Sequence, residues 1–305
     1  MTDWLSDNRR FLLRFIGTLL AIGLIVLLVR GQGWDEIMAA FKQISFLQIL
    51  LAFLFILLSR FCVITRWYIL LRSGGVRVSF SEALALTFTG LFSSNFLPTT
   101  IGGDVVRLAG AMQMGYDRAV SLASLVADRL IGAFSMLFVL PFGLIPAWHV
   151  LVPASAVSTL ALPPIFQKGW DFIKRTLQTF SLWLRKPWAL VAALVCTWGH
   201  VLFTCLAIAV LVSALGGHMS FLLIVGLWSI AYFVTLIPIS INGFGVQELS
   251  LTFLFSRVGG ISTAVALTLA VLIRVFYMIA SLPGAVYLPA ILSAMDLERE
   301  PGSKN

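Results

Sequence analysis

The sequence predicts an all-α polytopic membrane protein, with about six full spans plus two broken or re-entrant helix pairs arranged as an inverted repeat. Three observations carry that expectation. The 305-residue chain is 60% hydrophobic and only 11% charged, with a mean hydropathy of +1.00, whereas soluble domains carry about 25% charged residues. Its apolar runs reach the roughly 20 residues that a bilayer-crossing helix needs. One pattern also occurs twice, as Phe96-Leu-Pro-Thr-Thr-Ile-Gly-Gly-Asp-Val-Val-Arg-Leu108 and as Leu236-Ile-Pro-Ile-Ser-Ile-Asn-Gly-Phe-Gly-Val-Gln-Glu-Leu249. Each copy joins a proline, a short polar stretch, a glycine-containing break and a charged helix start. Each precedes an apolar helix beginning Ala-Val, with an arginine ten residues on: Ala119 to Arg129, and Ala264 to Arg274.

The first apolar run follows Arg9 and Arg10. It exceeds the 7–15 apolar residues of a signal peptide, and Gly31-Gln-Gly-Trp34 provides no small-residue cleavage site, so 11–30 is expected to be a retained span. Further spans are expected near 46–71, 118–141, 143–164, 188–214 and 262–291. The fourth is the weakest, because Pro146, Pro153, Pro163 and Pro164 interrupt it. Segments 80–115 and 219–258 are apolar runs divided by the repeated pattern, and each reads as a helix, a break and a second short helix. Ser79-Phe-Ser-Glu82 has the spacing of a capping box, and Pro187 stands where a helix start tolerates proline.

Lysine and arginine set the orientation. Arg9, Arg10 and Arg14 come before or early in the first span, Arg72 and Arg77 follow the second, and Lys168, Lys174, Arg175, Arg185 and Lys186 fill the middle linker. All three groups fall on one side if 80–115 enters the membrane and returns. Both termini are then cytoplasmic, and 219–258 enters from the opposite side. The chain is expected to form a single membrane domain, 1–305, with a first repeat at 46–141 and a second at 188–291 running in the opposite direction. If 143–164 does not cross, the two units run parallel instead. Between them, 166–187 alternates Phe166, Trp170, Ile173, Leu177, Phe180 and Leu184 with polar residues at helical spacing. This is an amphipathic cytoplasmic helix, suited either to an anionic leaflet or to packing on the bundle.

The net charge of +8 does not indicate a nucleic-acid partner, because the basic residues stand at the ends of apolar runs rather than in one patch. Cys62, Cys196 and Cys205 lie inside apolar runs, and His149, His200 and His218 are scattered, so no metal or other cofactor is expected. The informative residues are the ionisable ones at or near the broken segments: Asp104, Arg107, Asp128, Arg129, Glu248 and Arg274. A charge at the bilayer centre costs roughly 2.5–3.5 kcal/mol, so six unpaired ones would cost about 15–20 kcal/mol. A marginally stable fold cannot absorb that; the six must be paired, near an interface or facing water. Asp104 and Arg107 can share a helix face. Asp128 and Arg129 are adjacent and need other partners, and Arg107 and Glu248 would be counter-ions if the two breaks meet.

The helix starts after Gly102-Gly103 and Gly243-Phe-Gly245 expose backbone N–H groups and the positive dipole end, which favour an anion. With Arg107, Arg129 and Arg274 close by, a phosphate is the natural guest, and Asn95 and Asn242 can add neutral hydrogen bonds. In the alternative, glycine and proline only permit a tight turn and the charges are internal staples; recurrence with matching arginines favours binding. Arg66-Trp67-Tyr68 reads as an interfacial anchor with a snorkelling arginine, Arg60 as a candidate for lining a cavity, and Tyr277 as a packing aromatic or a support for Arg274.

Asn95-Phe-Leu-Pro98, Gly102-Gly-Asp-Val-Val-Arg107, Ala127-Asp-Arg-Leu-Ile-Gly132 and Pro238 through Asn242-Gly-Phe-Gly-Val-Gln-Glu248 together resemble the flippase-like membrane domain of lysylphosphatidylglycerol synthases. That family also includes many stand-alone proteins of unassigned function and some archaeal dolichol-phosphate-sugar enzymes. Asn242-Gly-Phe-Gly departs from it where a glycine pair is frequent. The resemblance implies movement of an anionic or aminoacylated phospholipid, or of a polyprenyl-phosphate lipid, across a bacterial or archaeal cytoplasmic membrane. No aminoacyltransferase domain is recognisable here, so carriage is expected rather than catalysis, and no catalytic residue is assigned. The expected lipid-binding residues are Asn95, Gly102, Gly103, Asp104, Arg107, Asp128, Arg129, Asn242, Gly243, Gly245, Glu248 and Arg274. Two alternatives stand beside this: a membrane-embedded transferase using a lipid-phosphate donor, with Asp104, Asp128 or Glu248 as base, and an accessory subunit of a separately encoded lipid-modifying enzyme.

Overall fold

The computed structural model describes residues 42–97, 102–151, 186–237 and 240–289, together with single helical positions at 23 and 38. The expected span 11–30 and the linker helix 166–187, up to its last two residues, lie outside the described residues. Within them the chain is helical and contains no strand. The helices are α1 (Phe46–Ser73), α2 (Phe80–Ser94), α3 (Gly102–Gln113), α4 (Arg118–Val139), α5 (Pro141–Leu151), α6 (Pro187–Ala214), α7 (Phe221–Leu236), α8 (Val246–Arg257) and α9 (Thr263–Ser281), with a 3-10 turn at Ile241–Gly243. Four of them, α1, α4, α6 and α9, are long and apolar enough to cross a membrane.

Local chemistry explains where the helices begin. Ser45, Ser79, Asp117, Ser220 and Ser262 each accept a backbone N–H from the first turn of the helix that follows, satisfying donors that hydrocarbon could not. The expected box at Ser79 is present: Glu82 N–H donates to Ser79 Oγ (3.3 Å) and Ser79 N–H to Glu82 Oε2 (2.7 Å). Pro187 opens α6 as expected. The expected span 262–291 is interrupted: α9 ends at Ser281 and a turn through Leu282 and Pro283 leads into a short helical stretch, 284–289, since proline cannot continue the ladder. Gly284 lets that stretch touch the Phe88 carbonyl of α2. Of the expected span 143–164, the described part is α5, which keeps Pro146 inside it.

Side-chain contacts fix the directions of the long helices. Lys186, at the start of α6, donates to the carbonyl of Ser73 at the end of α1 (2.8 Å), and Ser59 bonds both His200 (2.6 Å) and Thr204 (2.9 Å). Helices α1 and α6 therefore run antiparallel. Helix α4 opposes α1, with Gly74 beside Val120 and Trp67 donating to Ser124 (3.1 Å). It parallels α6, because Ala127 and Ile131 cluster with Ala189 and Ala193 while Phe138 stacks edge-on to Trp198. Helix α9 opposes α6: Ile261 lies against Gly217, whereas Tyr277 reaches Arg60, next to Ser59 and its partner Thr204.

The two broken segments are helical hairpins. Gly90 and Gly103 pack backbone against backbone near the first break, and Ala83 and Leu86 share a cluster with Ala111 at its open end. In the second, Thr235 lies against Gly243 at the break and Met219 against Gly259 at the open end. The first hairpin opens where α1 ends. The second opens where α1 begins, with Gly216 near Gln43. Their breaks consequently point toward each other in the middle of the bundle.

Candidate functional site

Two ionic groups form around the breaks, built alike. In the first, Asp104 in the opening turn of α3 binds Arg129 of α4 (2.6 Å). In the second, Glu248 in the opening turn of α8 binds Arg274 of α9. The partners lie 25 and 26 residues apart, which matches the repeated spacing in the sequence. The expected Arg107–Glu248 pair does not form: each hairpin directs its acid to the helix that follows within the same unit. Arg107 instead bridges Asp104 (3.0 Å) and Asp128 (3.6 Å) over the face of Trp67, 4.1 Å from the ring centroid.

Arg66 corrects a second expectation. It does not snorkel to an interface; it is buried and donates to Asp128 (2.6 Å) and to Thr197 of α6 (3.2 Å). The unmet need of Asp128, which its neighbour Arg129 cannot face, was the signal that could have found it. The first group is thus a chain, Arg66–Asp128–Arg107–Asp104–Arg129, in which two carboxylates join three guanidiniums.

The glycines divide by role. Gly102 and Gly103 are buried and make room for Leu97, Ser94 and Gly90, so they serve helix packing. At the second break, Asn242 (φ 47°), Gly243 (φ 69°) and Gly245 (φ 79°) take left-handed conformations. Asparagine tolerates that region when other side chains do not, which accounts for its place here. The helix start after Gly245 is capped internally, because Glu248 Oε2 accepts the Gly245 N–H (2.7 Å). Arg274 completes the turn by donating to the Gly243 carbonyl (3.3 Å) with Phe244 4.6 Å away.

Between the breaks lies a cavity of about 270 Å³, just below the ~300–1,000 Å³ typical of ligand pockets. Asn95 from the first break and Asn242 from the second both line it, with Arg129 and Arg274 from the two matched pairs and Arg60 from α1. None of its described lining residues is acidic. Arg129 is 42% exposed, whereas Arg107 and Asp128 are 7% and 5% exposed. Of the expected residues, Asn95, Arg129, Asn242 and Arg274 reach this cavity. Asp104, Arg107 and Asp128, together with Gly103, line an adjoining space of about 160 Å³ that shares Leu91, Ser94 and Arg129 with the first. Arg60 lines the cavity as expected, and Tyr277 turns out to support Arg60 (4.1 Å) rather than Arg274. Sequence reasoning missed Trp228, Tyr232 and Gln247, which also line it; in the apolar helix α7 the two aromatics look like packing residues.

A family model described as the lysylphosphatidylglycerol synthase TM region matches residues 14–284. No curated protein matches the chain.

Proposed function

Because the chain belongs to the lysylphosphatidylglycerol synthase TM region family, and so is a multi-pass membrane protein related to lipid modification or translocation, we propose that it is a lipid translocase. It moves an anionic or aminoacylated phospholipid, or a polyprenyl-phosphate lipid, between the leaflets of a bacterial or archaeal cytoplasmic membrane. Both termini face the cytoplasm, 166–187 is an amphipathic cytoplasmic linker, and units 46–141 and 188–291 form an inverted repeat within one membrane domain. The opposed directions of α1 and α6, and of α4 and α9, support the inversion.

One observation carries the assignment: both breaks open on a single cavity that three arginines line and, among the described residues, no carboxylate does. A lipid phosphate entering there meets Arg60, Arg129 and Arg274, with the amides of Asn95 and Asn242 beside it. The acyl chains remain in lipid, and rocking of one unit against the other exposes the head group to each side in turn. The transferase alternative requires an available carboxylate, whereas Asp104, Asp128 and Glu248 are each bound to arginine.

The test is exchange of labelled anionic lipids between leaflets of liposomes containing the full chain, with Arg129→Gln and Arg274→Gln as controls. Exchange above that of empty liposomes and reduced in both variants is expected. Exchange equal to that of empty liposomes across several lipid classes refutes translocation.

A further inference from the structure

The charges of the described residues around the cavity do not cancel. Among the described residues the first ionic group holds three arginines and two aspartates, and the second holds one arginine and one glutamate. Arg60 adds a fifth guanidinium that forms no ion pair with any described residue. It rests against the Tyr277 ring, and its Nε is buried without a hydrogen-bond partner. Five arginines against three carboxylates leave an excess of two positive charges, and a guanidinium does not shed its proton.

A second observation points the same way from another helix. Trp228 of α7 is 8% exposed and lines the same cavity, and its indole N–H is buried without a partner. Orphaned buried donors are rare in folded proteins and ask for an explanation. Here two residues that each carry an unused N–H, Arg60 and Trp228, line one space that has no acid among its described residues. Both donate, and neither can accept; an acceptor with negative charge satisfies both.

We propose that the guest is a phosphate carrying two negative charges, a terminal phosphomonoester or a diphosphate on a lipid head group, and that Arg60 selects it over a singly charged phosphodiester. This deepens the translocase reading and rests on it for the lipid nature of the guest. The first negative charge balances the excess of the Arg66-to-Arg129 chain, and the second balances Arg60. A phosphodiester leaves one of these cations without a counter-charge inside the bundle, where Coulomb interactions exceed those in bulk water. The cavity volume of about 270 Å³ suits a head group and excludes its acyl chains.

The experiment is equilibrium binding to the purified full chain in neutral detergent at pH 8, where a phosphomonoester is doubly charged. The probes are phosphatidic acid and phosphatidylglycerol with identical acyl chains, with glycerol phosphate and inorganic phosphate as water-soluble arms. Phosphatidic acid is expected to bind at least tenfold more tightly than phosphatidylglycerol, a difference of about 1.4 kcal/mol. Arg60→Gln is expected to shrink that preference to about threefold or less, and Arg60→Lys to retain most of it. Trp228→Phe, which keeps the packing ring, provides a second reading: a loss of several-fold in phosphatidic acid affinity. Equal affinity for the two lipids, or a preference unchanged in Arg60→Gln, overturns the proposal. Inorganic phosphate binding as tightly as phosphatidic acid overturns its lipid part. Because no leaflet gradient enters the measurement, a clear preference with no liposome exchange would refute translocation alone, and exchange without a preference would refute this selectivity alone.

Discussion

Replacing Glu248 by glutamine tests the ionic architecture most directly. The Glu248 carboxylate binds Arg274 through one oxygen and accepts the Gly245 N–H through the other (2.7 Å). The amide of Glu248→Gln keeps an acceptor for Gly245, so the start of α8 retains its cap, and the loss falls on Arg274. The side chains of Arg274 and Glu248 are only 11% and 5% exposed, and breaking such a buried pair from one side costs about 3–5 kcal/mol. Arg274 still has the Gly243 carbonyl (3.3 Å) and the Phe244 ring, and it borders the cavity. The lower end, about 3 kcal/mol, is therefore expected. Arg274→Gln alone leaves Glu248 its N–H partner and should cost somewhat less. The double variant removes both charges and is expected to lose about 1–3 kcal/mol less than the two single losses together. Reversible unfolding of the full chain in mixed micelles, titrated with SDS and followed by tryptophan fluorescence, measures all three. Glu248→Gln within about 0.5 kcal/mol of the parent, with additive single effects, would refute a closed buried pair.

The matched pair should be weaker: because Arg129 is 42% exposed toward the cavity, Arg129→Gln is expected to cost only about 1 kcal/mol of stability in the same titration, while reducing lipid exchange as much as Arg274→Gln does. Gly103→Ala places a Cβ against the Gly90 carbonyl oxygen and Ser94 Oγ, an overpacking expected to cost about 1–3 kcal/mol or more. Gly132→Ala, whose nearest new neighbour is Arg66 Nη1 at 3.5 Å, should be neutral or gain up to about 1 kcal/mol from helix propensity; unfolding midpoints compare the two. Asn242→Ala is expected to cost about 1 kcal/mol because φ is 47° there, and Asn242→Gly to cost less; the reverse order would show that the side-chain amide, not the backbone, holds the break.

What was legible in the sequence was local. The breaks, the Ser79–Glu82 box and the proline at α6 depend on residues within a few positions of each other, and the structure has them where the residue types place them. The repeated Ala-to-Arg spacing held more information than the pairing of Arg107 with Glu248 drew from it. Taken as a ruler, it brings Arg129 to Asp104 and Arg274 to Glu248 at almost equal separations. Arg66 was misread because Arg-Trp-Tyr near a helix end is ambiguous in one dimension: the same triplet serves a lipid interface or faces two neighbouring helices. Only the packing of α1 against α4 and α6 decides, and that packing rests on small residues such as Ala127, Ala189 and Ala193, whose spacing carries little signal. The aromatic lining from α7 was hidden for the same reason, since Trp228 and Tyr232 lie in a helix that is apolar all round.

The distribution of polar contacts bears on how such a protein can move. All five ion pairs among the described residues lie within one unit or the other. Three of them, Arg107–Asp128, Arg129–Asp104 and Arg274–Glu248, bind a hairpin to the helix that follows it, so each break is fixed to its own unit. Hydrogen bonds between the units are of a different kind: Ser59 with His200 and Thr204, Arg66 with Thr197, Lys186 with the Ser73 carbonyl, and Asn95 with Ser281 (2.9 Å). Four of the five join α1 or the residue at its end to α6 or the residue before it, along the antiparallel seam. Asn95–Ser281 crosses at a break, and a neutral hydrogen bond of that kind is worth about 0.5–1.5 kcal/mol net. Among the described residues, opening the cavity on the side of the first break therefore breaks a neutral hydrogen bond and the packing of Gly284 on Phe88 but no ion pair, while the α1–α6 seam can serve as the pivot. Had Arg107 paired with Glu248 across the units, the same movement would have separated two buried charges, at about 3–5 kcal/mol. Pairing each acid within its own unit keeps the charges fixed and leaves the boundary between the units, among the described residues, to apolar packing and neutral or single-charge hydrogen bonds.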